Sequence, residues 1–222
     1  MSSTRSTRSS TDDSQPSCRP TVVKLGGSLL GLHDVTERLL YVVDDLTAPL
    51  VLVGGGASAD LVRHWDEQGL LTNREAHRLA IAAMSFNARQ LAASDARFAF
   101  VSSLADAIDA VASRRIPLLD AVSVLAVEEA CGGERPAIPS SWDVTSDSLA
   151  AWLAGAWNAD LWLLKSLDAA HDWGQHVDPW FHTAAEGRAS LGWVNLRTDR
   201  PTVTRLHLAN RPSSTRETGH ST

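Results

Sequence analysis

Lysine is the residue this chain does almost without. Of its 20 basic residues, all but Lys24 and Lys165 are arginines. A bias in base composition can produce an arginine excess, but it does not choose the two exceptions. A compact ammonium on a flexible stem and a planar guanidinium are not interchangeable, so those two positions are the first to examine. Cysteine is scarce too. Cys18 and Cys131 cannot make a disulfide framework, and a reducing compartment, the cytoplasm, is the expectation. No apolar run approaches the ~18 residues of a membrane helix, so no membrane association is expected. The first residues hold no continuous apolar stretch, which argues against a secretory signal. There is no basic block, and the formal charge is -6, so a nucleic-acid partner is not expected. His171, His176 and His182 lack tight metal-ligand spacing, and no metal site is expected from them.

What is present suits one domain. The 222 residues are 44% hydrophobic and 21% charged, enough for a single large core. Residues 1–20 are rich in Ser, Thr and Arg without apolar periodicity and read as a disordered tail, as do residues 211–222. The ordered body is then 21–210. It alternates strand and helix patterns. Short apolar runs at 22–25, 50–53, 98–101, 116–119 and 161–164 read as strands, with a further β segment at 122–127 and late, antiparallel strands at 193–196 and 202–206. Leu32, Val35, Leu39, Val42 and Leu46 mark one helix face. Residues 57–68 form a second helix stopped by Gly69. Thr72 and Glu75 have capping-box spacing at the start of a third, whose apolar face continues through Leu79, Ala83 and Phe86. Residues 104–113 and about 145–157 complete the helices, the last with Trp152 on its core face. Strands separated by helices imply βαβ units, an α/β fold with a mostly parallel sheet, and ligands beyond the carboxyl ends of the strands.

Four segments at such strand ends carry chemistry. Lys24-Leu25-Gly26-Gly27-Ser28 and Gly54-Gly55-Gly56-Ala57-Ser58 each join a strand to a helix. Adjacent glycines let amide groups approach an anion, and a helix start adds a favourable dipole. A plain βα turn would use the same residues. Gly54 to Ala59 also fits a dinucleotide fingerprint, but the acid about 20 positions on, Glu75, falls in a helix, and no P-loop pattern is present. The third segment, residues 141–148, leads into a helix and holds Asp143 and Asp147 with hydroxyls between. A helix cap explains one of these, and a carboxylate that orients a lysine explains another equally well. The fourth places Lys165, Ser166 and Asp168 directly after a buried strand. Together, two anion nests, both lysines and a carboxylate are the parts phosphoryl transfer needs: charge neutralisation and rigid positioning.

In this order the motifs resemble the amino acid kinase family. VVKLGGSLL is similar to that family's first strand and phosphate loop, LVLVGGG to its acceptor-side glycine loop, SWDVTSDSLAAWLAG to its N-x-N-A-D-x-x-A segment, and NADLWLLKSLDA to its A-D-x-L-I-x-L-T-D-V-D-G strand. The resemblance covers about residues 21–170. It implies a three-layer αβα sandwich, and an ATP-dependent kinase using Mg²⁺. Lys24 would contact the transferring phosphoryl, Asp147 would orient the lysines, and Lys165 would be the third catalytic group. Gly26, Gly27, Ser28, Ser166 and Asp168 would hold the nucleotide. Gly54, Gly55, Gly56, His64 and Asp143 would face the acceptor. The family's later lysine has no counterpart here, so either Lys165 takes over that charge or an arginine such as Arg188 or Arg197 does. Family members commonly pair, which implies a homo-oligomer with the helix 73–94 as a face. S-W-D-V-T-S-D-S and L-K-S-x-D resemble the short subgroup that phosphorylates [5-(aminomethyl)furan-3-yl]methyl phosphate in methanofuran biosynthesis, as, with less specificity, do Val177-Asp178-Pro179-Trp180-Phe181 and Val194-Asn195-Leu196-Arg197. The acceptor would then be a small phosphate monoester. A carboxylate kinase of the acetylglutamate type and a non-catalytic nucleotide or oxyanion binder are the alternatives.

Overall fold

The computed structural model describes residues 19–208 except 134, 170 and 189; the expected tails lie outside the described residues but for Arg19 and Pro20. Seven strands form one sheet: β1 (Thr21–Leu25), β2 (Pro49–Val53), β3 (Phe98–Val101), β4 (Ile116–Leu119), β5 (Asp160–Lys165), β6 (Ser190–Asn195) and β7 (Val203–His207). Their order is β3-β4-β2-β1-β5-β6-β7, parallel throughout except for the β6–β7 pair. Of the two late strands, only β7 therefore runs against the sheet.

The helices are α1 (Val35–Val43), α2 (Gly56–Glu67), α3 (Asn73–Ala92), α4 (Leu104–Ala112), α5 (Ala121–Cys131), α6 (Ser146–Ala156) and the single turn α7 (Phe181–Ala184). They cover both faces of the sheet. Because side chains alternate along a strand, Val22, Leu52, Leu161, Leu163 and Trp193 pack under α5, α6 and α7. Val23, Leu25, Val51, Val53 and Leu164 pack on the other face against α1 and the end of α3. This is a three-layer α/β sandwich with a core on each side. No helix among the described residues is long and apolar enough to cross a membrane.

Two local expectations are corrected. The run 122–127 is helix, not strand. Its valines favour a strand locally, but Asp120 holds the extended N-cap position, and Ala121, Val124 and Leu125 bury a helical stripe while Val122 and Val127 stay exposed. Tertiary packing overrides the β-branched preference. In α3 the capping box of Thr72 and Glu75 is formed as expected. The buried stripe, however, is Ala76, Ala83, Met84, Asn87, Ala88 and Leu91, and Leu79 and Phe86 face outward.

The chain leaves β1, builds the sheet to one side through β2, β3 and β4, and returns to β1's other side with β5. The carboxyl end of β1 is thus the switch point where open parallel sheets form their ligand crevice.

Candidate active site

The two lysines are brought together by strand register. Lys24 shares its face with Val22, and Lys165 shares its face with Leu161 and Leu163, so both point toward the α6 layer. β1 and β5 are adjacent, and Lys24 pairs with Leu163, two positions before Lys165. Such positions are separated by about 4.8 Å across the sheet and about 6.6 Å along it. The second residue of α6, Asp147, fills the interval. Its Oδ1 lies 2.7 Å from Lys24 Nζ and takes no hydrogen bond from any other described group. Its Oδ2 lies 2.5 Å from Lys165 Nζ. Asp147 and Lys24 are only 4% and 5% exposed, so the cluster is shielded from water. Lys165 also donates to the His176 carbonyl at 2.7 Å and stands over the Trp193 ring. Of the two arginines considered in its place, Arg188 donates to the Ala159 carbonyl at the other end of β5, and Arg197 is exposed.

Burial by itself pushes the Asp147 carboxyl up; the Lys24 and Lys165 ammoniums overcome this and hold it below the ordinary carboxylate value. Burial and the neighbouring Lys24 charge press Lys165 below the usual lysine value, against the pull of Asp147 and Asp178.

The two glycine turns lie back to back beside this cluster. A Cβ on Gly27 would fall 2.2 Å from the Gly56 amide nitrogen, and one on Gly56, whose φ is +48°, would fall 2.7 Å from the Gly27 carbonyl. Only glycine allows this approach. Gly26 and Gly54 have their amides committed, to the Leu164 and Leu25 carbonyls. The Gly27 and Ser28 amides and the first-turn amides of α2 have no backbone acceptor among the described residues, whereas Leu29 donates to the Gly26 carbonyl. Asn87, buried on α3, fixes the second turn by donating to the Gly54 and Gly55 carbonyls at 2.9 and 2.7 Å, and accepts from Ser58.

A cavity of about 270 Å³ opens between these turns and the start of α6. Gly27, Ser28, Gly55 and Gly56 border it, Ile81, Met84 and Leu149 give it an apolar side, and Arg63, His77 and Trp142 close its polar side. The Arg63 guanidinium lies 4.5 Å from the centre of the Trp142 ring, which is itself tied by its N–H to Asp66. Burial lowers the His77 pKa and so favours the neutral ring, opposed by its hydrogen bond with the Ser141 backbone. Two residues expected on the acceptor side, His64 and Asp143, do not line this cavity. His64 is exposed and bonds to Gln68; its neighbour Arg63, also exposed, borders the cavity. Asp143 is also exposed; its backbone, not its carboxylate, is used, by Ser141 and Trp180. On the other side of Lys165, Ser166 is half-buried, and Asp168 accepts from Asn195 at 3.0 Å. A roomier groove of about 700 Å³ at the amino ends of the strands holds none of these residues.

Two ammoniums and two helix starts lie at the carboxyl ends of β1, β2 and β5, donors of the kind a polyphosphate takes, although neither ammonium lines the cavity itself. No group of three or more His, Cys, Asp or Glu able to hold a metal occurs among the described residues.

The sequence profile of the amino acid kinase family matches residues 19–179. A comparison with curated proteins finds no match. Among solved structures, the chain is similar to uridylate kinase from Archaeoglobus fulgidus, with 24% identity over 67% of this chain and 64% of that one and a TM-score of 0.46. It therefore spans just under two thirds of that enzyme's length. It is also similar to UMP kinase from Bacillus anthracis, with 13% identity over 84% of this chain and 98% of that one and a TM-score of 0.52. The second likeness is one of fold.

Proposed function

We propose that the chain, which belongs to the amino acid kinase family, is a phosphotransferase that transfers the γ-phosphoryl of ATP to a small phosphate monoester. The observation that carries this reading is the buried Lys24–Asp147–Lys165 bridge at the seam of the two glycine turns. Phosphoryl transfer asks little covalent chemistry of a protein; it asks for charge stabilisation and alignment. Lys24 and Lys165 would stabilise negative charge on the moving phosphoryl, and Asp147 would keep both ammoniums aimed without itself taking a proton. Gly27 and Ser28, with Ser166 and Asp168, would hold the nucleotide. Mg²⁺ supplies further neutralisation of phosphate charge when bound.

The acceptor would occupy the cavity beside Gly55 and Gly56. An opening of about 270 Å³ with an apolar side, a tryptophan and an arginine suits a compact ring or short chain carrying an anionic group. An aminomethylfuran methyl phosphate, the acceptor that the resemblance to the short subgroup implies, is of this kind. A reaction that consumes ATP suits the cytoplasm. A second copy of the chain is the expected partner, since Phe86 and Val122 are 61% and 46% exposed on neighbouring helices, and sedimentation tests this.

The deciding experiment incubates the protein with MgATP and a panel of small phosphate monoesters and carboxylates, and follows ³¹P signals. A diphosphate product, lost in Lys24→Ala, is the expected result. An acyl phosphate trapped by hydroxylamine would instead make it a carboxylate kinase. ATP binding without transfer to any acceptor would make it a binding protein.

A further inference from the structure

Outside the lysine bridge lies a second buried carboxylate, Asp178, 8% exposed, in the loop between the 3₁₀ turn Trp173–His176 and α7. Its surroundings are unusual for a helix start. α6 has no cap from its own side chains. Thr145, the N-cap residue, turns its hydroxyl away from the helix and donates it to Asp178 Oδ2 at 2.7 Å. The same oxygen accepts from the Thr145 amide at 3.0 Å and the Ser148 amide at 3.1 Å. The other oxygen, Oδ1, accepts from the Ser148 hydroxyl. One carboxylate from 30 residues away thus takes four donors from the first turn of α6, and Asp147 lies inside the bracket they form.

The same segment is tied to the site twice more. The Trp180 amide donates to the Asp143 carbonyl at 3.1 Å, and the His176 carbonyl accepts from Lys165 at 2.7 Å. Phe181, fully buried, anchors the segment in the core. If capping were all that was needed, Thr145 could supply it locally. Asp178 adds what a local cap cannot: it fixes the turn that carries Asp147 to the segment whose carbonyl holds Lys165.

We propose that Asp178 is a positioning residue, which holds the first turn of α6 so that Asp147 stays between the two ammoniums. Its kinetic consequence rests on the phosphoryl-transfer reading above; its structural consequence does not. A displacement of the lysines by about 1 Å is enough to slow an aligned reaction by up to about a hundredfold. The effect is expected on turnover rather than on affinity, since Asp178 does not line the cavity.

The chain's shortage of lysine supplies the test. Protein labelled with ¹⁵N-lysine carries two side-chain ammonium signals, assigned by Lys24→Arg and Lys165→Arg. Asp178→Asn replaces one acceptor oxygen by a donor that faces amide and hydroxyl donors. In the folded variant, checked by circular dichroism, both ammonium signals are expected to shift or broaden, and Asp178→Glu to restore them in part. In the ³¹P assay kcat is expected to fall at least about tenfold with KM for ATP unchanged. If both ammonium signals of folded Asp178→Asn superimpose on those of the wild type, Asp178 is only a helix cap and the proposal is overturned. Should Asp178→Asn fail to fold, Ser148→Ala removes one donor and leaves the carboxylate. A smaller shift of the same two signals supports the proposal, and no shift overturns it. Because these signals need no turnover, an inactive protein would refute the kinase reading and leave this test standing.

Discussion

Asp147→Asn changes the site by one charge and almost no volume. In the wild type, one carboxylate with 6% side-chain exposure bridges ammoniums with 6% and 11% exposure, at 2.7 and 2.5 Å. The asparagine leaves both ammoniums buried with no opposing charge between them. Breaking a buried ion pair by removing one partner costs about 3–5 kcal/mol. Here two cations lose the same partner, so the upper half of that range is expected. For a chain of this size about 1 kcal/mol moves Tm by roughly 2–4 °C, so the variant should melt roughly 8–20 °C lower at pH 7. Two further signs identify the cause. Saturating ATP, which stabilises any binder by mass action, should restore more stability to the variant than it adds to the wild type, because phosphate replaces the lost anion. Alkali should narrow the gap. Lys165 already sits below its unfolded value of about 10.4, and without Asp147 it falls further; between the folded and unfolded values the unfolded chain binds more protons, so stability rises with pH. Urea unfolding followed by tryptophan fluorescence at pH 7 and in alkali, with and without ATP, reads all three. A midpoint at pH 7 equal to that of the wild type would refute the shared-carboxylate arrangement.

Acid acts on the same group in the other direction. Because Asp147 is held below its ordinary value, its contribution to stability is complete above the unfolded value of about 3.9 and disappears as pH falls through the folded one. Wild type and Asp147→Asn should therefore converge in stability below about pH 4, a convergence that acid titrations monitored by circular dichroism would detect. Gly27→Ala places a methyl 2.2 Å from the Gly56 amide nitrogen, against backbone that cannot swing away. It should separate the two glycine turns and weaken ATP binding, measured by calorimetry, at least about tenfold, the equivalent of about 1.4 kcal/mol. Asn87→Leu strips the Gly54 and Gly55 carbonyls of their donor in a buried place, at about 1–3 kcal/mol of stability. Its kinetic effect should appear in KM for the acceptor more than in KM for ATP; equal effects on both would show that the second glycine turn does not serve one substrate alone.

The parts of this molecule that could be read from the chain are those written in local pattern. Five short apolar runs, three of them running into glycine or lysine, mark five of the parallel strands, and the even-numbered step from Leu161 and Leu163 to Lys165 already decides which face that lysine takes. Rarity pointed the same way: two lysines in a chain rich in arginine both meet one aspartate. Val122–Val127 misled because β-branched residues carry a local preference that packing reversed, and Leu79 and Phe86 misled because period alone does not say which side of α3 finds the sheet. A cavity-lining residue of α2 was legible only to within one position along the helix. A shift from His64 to Arg63 is a rotation of about 100°, which separates a side chain off the cavity from one on its rim, though both are exposed.

Asn87 and Asp178 form a different class of omission. Neither belongs to a motif that holds ligand, and each works on backbone far along the chain, Asn87 on residues 54–55 and Asp178 on residues 145–148. One sign of them was present in the sequence: a polar residue on the buried face of a helix, as Asn87 is among Ala83, Met84, Ala88 and Leu91. A buried polar side chain must find partners or lose stability, so an asparagine in such a stripe announces a backbone segment that needs donors. Here that segment is a turn of three glycines, which has no side chains of its own to hold its shape. The bare turn and the buried amide are two halves of one device. The rigidity that glycine gives up to let two loops approach is returned from a helix thirty residues on.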